Sequence, residues 1–290
     1  MTNEPEIKAT KNRVKQFFRI FMIAVVLFFI LSISSVFIYR FVPIYYTPLM
    51  FWKSATSLFQ KEMYGIEKQW VPLEQINKTV QKSVIKAEDA KFYLHNGFDF
   101  EAIEKAMIYN KTHKKQKGAS TISQQTAKNV FLWPARNWLR KGVEVYFTVL
   151  IEMLWPKKRI LEVYLNVIEL GPGVYGVEAA AQKYFHKKAK YLTTAQASLM
   201  AAVLPNPIKF NMSHPSSYIQ KRQQKIMGRG VVSTVVETVA DTFHSLSDEE
   251  APKEQLKVEE AKEFFDIKFD TDEEEEKNEV VPDDTTPANE

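Results

Sequence analysis

The sequence contains no cysteine. That excludes a disulfide framework and any thiolate metal site, and leaves the redox compartment open. Its five histidines are scattered, without the spacing that metal ligands need. No run of alternating strands and no internal repeat stands out, and from Leu73 to about Gly228 the pattern is mainly helical. Gly and Pro punctuate it at "HNGFD", "KGAST", "WPARN", "ELGPGVYG" and "LPNPIKF". Acid is scarce in most of the chain. The first 240 residues hold 34 basic and 16 acidic residues, a net of +18, whereas Asp241 to Glu290 hold 5 basic and 19 acidic, a net of −14. A basic body points to an anionic partner: nucleic acid, a membrane surface or a phosphorylated substrate.

One long charge-free run narrows that list. Ile20 to Ile38, "IFMIAVVLFFILSISSVFI", is 19 residues long, close to the ~20 that span a bilayer as a helix. Lys8, Lys11, Arg13, Lys15 and Arg19 precede it, while only Arg40 and Lys53 follow closely. The positive-inside rule then places the N-terminus in the cytoplasm and the rest outside, which argues against nucleic acid as a partner. The rival is a cleaved signal peptide with Ser32 and Ser34 at the cut, but the chain stays apolar through Val36, Phe37, Ile38 and Tyr39. Phe41 to Tyr64 is rich in aromatics, as suits the lipid–water interface or a connector packed on the domain. The expected organisation is a basic cytoplasmic N-terminus (1–19), a transmembrane helix (20–39), a membrane-proximal segment (40–72), a helical domain (73–230) and an acidic, largely disordered tail (231–290). Within the tail, "DEEAPKEQLKVEEAKEFF" has the composition of a charged helix.

Four stretches carry chemistry. In "INKTVQKSVIKAEDAKFYLHNG" the residues Ile76, Val80, Val84, Ile85 and Phe92 fall at helical spacing, which predicts a helix stopping at Gly97. Glu88 then lies inside the apolar stripe, and Asp89 points about 100° away. A carboxylate on such a stripe is desolvated and its pKa rises. The plainer reading is a partner Arg or Lys. In "KGASTISQQTAKN", Gly118 allows a tight turn and Thr121 with Gln124 fits a capping box. That helix start is a seat for phosphate, and Thr121, Gln124, Gln125 and Lys128 share one side. The alternative is a plain surface helix. In "RKGVEVYFTVLIEMLWP", Glu144 shares a side with Phe147, Thr148 and Ile151, with Arg140 four residues earlier as an intrahelical partner. "KKRILEVYLNVIELGPGVYGVEAAAQKYF" reads as architecture: a buried stripe of Ile160, Leu161, Tyr164, Leu165 and Ile168, a turn at Gly171, Gly173 and Gly176, and a further helix, with Glu162 capping or pairing.

In order, "EDAKFYLHNGFD", "GASTISQQTAKN", "RKGVE", "KKRILEVYLN" through "GVYGVEAAAQKYF", and "ASLMAAVLPNP" closely resemble the five motifs of the peptidoglycan glycosyltransferases, glycosyltransferase family 51. The resemblance runs from Lys86 to Pro207, about 120 residues. One transmembrane helix and no penicillin-binding domain resemble the monofunctional members. "SVIK" at Ser83 to Lys86 matches S-x-x-K, but no K-T-G follows. The acidic tail has no counterpart in the family pattern.

The resemblance implies a mainly α, lysozyme-like fold and polymerisation of lipid II, a disaccharide-pentapeptide on undecaprenyl pyrophosphate. It implies Glu88 as general base toward the acceptor's 4-hydroxyl and Glu144 as the second essential acid, which orients the donor, holds a basic partner or places a divalent cation. Lys128, Arg140 and Lys141 are implied cations for the leaving pyrophosphate, and Ser120, Thr121, Gln124 and Gln125 its donors. Asp89, Phe92, Gly118 and Asn129 complete the expected substrate-binding set. No cofactor is expected, and a metal requirement is not legible. Expected partners are lipid II, the nascent glycan strand, the membrane, and cell-wall synthesis or division proteins, with an inner-membrane, periplasm-facing placement. The alternatives are a lytic glycosidase, which needs an acid for its leaving group, and an inactive membrane-anchored scaffold, which needs neither acid.

Overall fold

A computed structural model describes residues 4–57, 64–114, 116–135 and 137–228, with side chains from residue 11 onward. The acidic tail, including its candidate charged helix, lies outside the described residues. The chain opens with α1 (Glu4–Tyr39), whose segment Lys11–Tyr39 is long and apolar enough to cross a membrane. At 1.5 Å per residue its 36 residues reach about 54 Å. The last carbonyls of a helix need partners, and here the folded domain supplies them. Trp155 Nε1 donates to Val36 O at 2.7 Å, and the Arg159 guanidinium donates to Tyr39 O at 2.8 and 3.1 Å and to Val42 O. One turn further in, Ser32 Oγ meets Tyr146 OH at 2.7 Å.

The chain after α1 carries α2 (Pro48–Ser57), anchored by buried Ile44, Leu49 and Met50. Then come α3 (Lys78–Glu88), α4 (Phe100–Thr112), α5 (Ile122–Phe131), α6 (Trp138–Leu154), α7 (Lys157–Val167), α8 (Val177–Phe185), α9 (Thr194–Val203) and α10 (Ser217–Met227). Helix starts follow local chemistry. Asn77 caps α3, Asp99 caps α4, Asn137 caps α6, and Thr121 and Thr193 form capping boxes with Gln124 and Gln196. The apolar faces of α5 and α7 meet at the centre, where Ile122, Ala127, Ile160, Leu161, Tyr164 and Leu165 are fully buried. α3 packs on α9 through Val80 and Val84, and α10 covers the same pair. Ser83, of the chance S-x-x-K match, is buried there, 3.4 Å from Ser198 Oγ.

Two expectations need correction. The first helix of the domain ends at Glu88, not Gly97, with Asp89 as its C-cap. Phe92 is nevertheless fully buried, so its apolar spacing reflects a turn closed by Phe92 N–H on Asp89 O at 3.0 Å. There is also a small sheet. β1 (Glu67–Lys68) pairs in parallel with β3 (Val174–Tyr175), which pairs antiparallel with β2 (Glu169–Gly171). Strands this short show no alternation in sequence. The turn between β2 and β3 requires glycine at 173: its φ is +70°, and a Cβ there would lie 2.2 Å from Gly65 O.

Asn166 on α7 clamps the entering chain to this core. Its Oδ1 accepts from Val71 N–H at 2.9 Å, while its Nδ2 donates to Val71 O at 2.9 Å and to Glu162 O at 2.8 Å. Removing it strands buried backbone groups, each costing about 1–3 kcal/mol. Asn166→Ala is therefore expected to lower stability by about 2–4 kcal/mol, read as a fall in the thermal midpoint in detergent; an unchanged midpoint would contradict the clamp.

Candidate active site

Glu88 is the last residue of α3 and projects beside α5. Its Oε2 accepts from Gln125 Nε2 at 2.9 Å, and Gln125 Oε1 in turn accepts from the buried Tyr164 hydroxyl at 3.2 Å. This fixes the amide, so its donor end must face Glu88. Burial pushes the Tyr164 phenol well up and keeps it protonated, with the charges of Glu88 and Asp89 adding to the effect. On the far side, Arg222 of α10 brings Nη2 to 3.5 Å from both Glu88 Oε1 and Ala87 O. Burial raises the Glu88 pKa above the ordinary 4.5; the bond from Gln125 and the charges of Arg222 and Lys128 oppose the rise, and Asp89 adds to it.

Asp89 is buried and acts in the fold. Its Oδ2 accepts from Ile122 N–H at 2.9 Å, and its Oδ1 lies 2.9 Å from His95 Nε2. Gly97 N–H donates to His95 Nδ1 at 3.2 Å, which leaves the ring proton on Nε2, facing the carboxylate. Thr121 Oγ1 donates to Gly97 O at 2.6 Å. The N-terminus of α5, expected as a phosphate seat, is thus already occupied by an internal carboxylate.

Other residues expected to face a ligand are engaged likewise. Thr121 and Gln124 bond to one another in the capping box, and both are buried. Asn129 Nδ2 donates back to Gln125 O at 2.8 Å. Phe92 is core, with Lys157 Nζ 4.6 Å from its ring centroid. Gly118 and Ser120 lie exposed ahead of α5, and Gly118 has no positive φ and open space where a Cβ would sit, so no tight turn demands glycine there.

What remains assembled is Glu88, Gln125, Lys128, Arg140, Lys141 and Glu144. Glu144 is 4 % exposed, and both its oxygens are held: Oε2 by Arg140 Nη1 at 2.6 Å and Oε1 by Lys141 Nζ at 2.5 Å. Arg140 Nε is buried without a partner among the described residues. Lys128 is pushed down by burial; Glu144 opposes this, and the nearby charges of Lys53, Arg140 and Lys141 reinforce it. The result is a cluster of cations over a single paired acid, next to a separate base. Both Glu144 oxygens are engaged by cations, and no group of three His, Cys, Asp or Glu converges among the described residues.

Sequence reasoning missed Arg222 and Tyr164 as partners of Glu88 and Gln125. Tyr164 was legible only as part of a buried stripe. Arg222 sits in "SYIQKRQQKIM" among other bases and amides, with nothing local to single it out.

The transglycosylase family model matches residues 56–230. This chain belongs to the transglycosylase family. The family's helical, lysozyme-like domain is the one described above, and the fold expected from the ordered motifs is the one found. A biosynthetic peptidoglycan transglycosylase of Bdellovibrio bacteriovorus is 58% identical over 255 residues, 88% of this chain and 94% of the relative. Those of Pasteurella multocida (52% over 201 residues) and Bacteroides thetaiotaomicron (51% over 202 residues) cover 69% and 70% of this chain, and 82% of each relative.

If Asp89 sets the start of α5, Asp89→Asn places an amide donor against either Ile122 N–H or the His95 proton. A loss of about 1–3 kcal/mol is expected, read by thermal or denaturant melting. Parent-like stability would mean that the carboxylate is dispensable there.

Proposed function

We propose that this membrane-anchored transglycosylase polymerises peptidoglycan glycan chains from lipid II. Glu88 takes the proton from the acceptor's 4-hydroxyl, and that oxygen attacks the anomeric carbon of the growing chain. The bond from that carbon to the pyrophosphate oxygen breaks, its electron pair leaves with the undecaprenyl pyrophosphate, and the centre inverts. The proton on Glu88 then passes to solvent.

The observation that carries this reading is the division of labour between the two acids. Glu88 is a desolvated carboxylate with one oriented amide donor, so it is a better base than an exposed acid. Glu144 is locked between two cations. A lytic glycosidase needs its second carboxyl for an alkoxide-like leaving group or for water, and neither role suits an acid held at both oxygens. A pyrophosphate leaves without a proton and concentrates negative charge, which preorganised cations stabilise. Lys128, Arg140 and Lys141 supply that charge, Glu144 holds two of them in place, and buried Arg140 Nε is a further donor. No metal-dependent step is assigned.

The apolar helix Lys11–Tyr39 serves as the anchor, and the basic residues before it support a cytoplasmic N-terminus with the catalytic domain outside. We place the anchor in the inner membrane and the domain in the periplasm, with the nascent strand as second substrate and wall-synthesis or division proteins as neighbours.

Two outcomes test the base. Glu88→Gln is expected to abolish lysozyme-sensitive polymer from labelled lipid II while raising the thermal midpoint at neutral pH. The sign follows from linkage: with its folded pKa raised, Glu88 contributes stability below about pH 4.5 that is lost as pH rises through the folded value. Equal polymer from both proteins would remove Glu88 from the mechanism. In the pH profile of the parent, the acidic limb should lie above that of an ordinary carboxylate. Arg222→Gln, by removing an opposing cation, should move that limb further up, and a downward shift would reverse the assignment.

A further inference from the structure

Tyr164 is the largest fully buried side chain among the described residues. It stands on α7 in a stripe whose other buried members, Ile160, Leu161 and Leu165, are aliphatic. A phenylalanine would fill the same space with no polar end to satisfy. The hydroxyl instead donates to Gln125 Oε1 at 3.2 Å, and Gln125 Nε2 donates to Glu88 Oε2 at 2.9 Å. A chain of hydrogen bonds therefore runs from the centre of the core, through one amide of α5, to the base.

The chain has a direction. An ionised carboxylate only accepts, so the amide turns its N–H toward Glu88 and its carbonyl oxygen toward Tyr164, whose hydroxyl donates. Without that hydroxyl the carbonyl end would lie unpaired against the core, and the amide would gain by turning away from Glu88. The two Glu88 oxygens differ as a result. Oε2 is held at 2.9 Å, whereas Oε1 has only Arg222 Nη2 at 3.5 Å, beyond the usual N–H···O range of about 2.7–3.2 Å. A proton placed on Oε2 would meet the amide N–H, donor against donor, and the amide and hydroxyl would have to reverse together. A proton on Oε1 leaves both bonds as they are, so the transfer needs no reorganisation.

We propose that Tyr164 is a positioning residue for the transfer: its hydroxyl turns the Gln125 amide so that Glu88 Oε2 is anchored and Oε1 is the oxygen that takes the acceptor's proton. The O–H bond of the acceptor's 4-hydroxyl breaks, its proton bonds to Oε1, and its electron pair stays with the attacking oxygen. The inference rests on the polymerase reading for the identity of the acceptor.

The competing role is purely structural, a bond that ties α7 to α5. Tyr164→Phe keeps the ring and removes the hydroxyl; under the structural role it lowers the thermal midpoint and does nothing else. If the hydroxyl positions the base, the variant also loses about ten-fold in kcat with the KM for lipid II unchanged. Its Glu88 then titrates higher, because the amide no longer favours the charged form. The charged groups facing Glu88, namely Asp89, Lys128 of α5 and Arg222 of α10, are the same in both proteins, so that shift reports the amide. The titration is followed by isotope-edited NMR of the Glu88 carboxyl, whose signal is identified by its loss in Glu88→Gln. Gln125→Met, similar in shape but without either polar end, supplies the control: in that background Tyr164→Phe should change neither kcat nor the titration. An unchanged titration in Tyr164→Phe, or a further loss of kcat in the Gln125→Met background, would overturn the proposal. So would a structure with lipid II bound in which the 4-hydroxyl meets Oε2 in place of Oε1. Should the parent form no polymer while the titration still shifts in Tyr164→Phe, the positioning chain stands and the polymerase reading falls.

Discussion

The carboxylate of Asp89 determines where the candidate active site can form. It ends one helix and begins another: by accepting from the first N–H of α5 it stops α3 at Glu88 and fixes α5 at that point. Side chains that bond to nearby backbone compete with helix continuation, and here the competition is won by a backbone group 33 residues away. His95 and Gly97 close the loop between the two helices, and Thr121 ties its own cap to Gly97. The base and the amide that orients it come from these two helix ends. Their meeting at 2.9 Å follows from the joint, and the rest of the domain keeps that joint dry.

The site built on this joint is electrostatically unequal. A negative charge is held where burial disfavours it, and cations are gathered where they repel one another. Both conditions cost stability, and in the reaction proposed above both are relieved by substrate: the carboxylate by a proton from the acceptor, the cations by an anionic leaving group. Local disagreement of this kind is what a functional site displays against a consistent scaffold. Glu144 moderates it by pairing two of the cations, which makes that acid a fixture of the cation cluster.

Legibility in the sequence followed distance along the chain. The capping box at Thr121 and Gln124, the intrahelical pair of Arg140 with Glu144, and the buried stripe of α7 each depend on residues within one or two turns, and each is present as read. The short strands carry no period because two or three residues cannot show one. Asp89 reads as a neighbour of Glu88 about 100° around one continuous helix, because the sequence gives no sign that a distant N–H interrupts that helix. Arg222 lies 134 residues from Glu88, and no local pattern announces such a partner. Of the internal partners of Thr121, the capping box with Gln124 was legible, whereas the bond to Gly97 O, 24 residues away, was not.

Trp155 and Arg159 bind the last carbonyls of the apolar helix, so that helix continues into the domain without a slack linker. In the membrane-anchored polymerase proposed above, this junction keeps the domain close to the lipid surface. For a substrate whose own tail lies in the same bilayer, the search becomes two-dimensional: encounter depends on surface density and lateral diffusion instead of bulk concentration. Each released carrier also stays within that plane, close to the site it has just left.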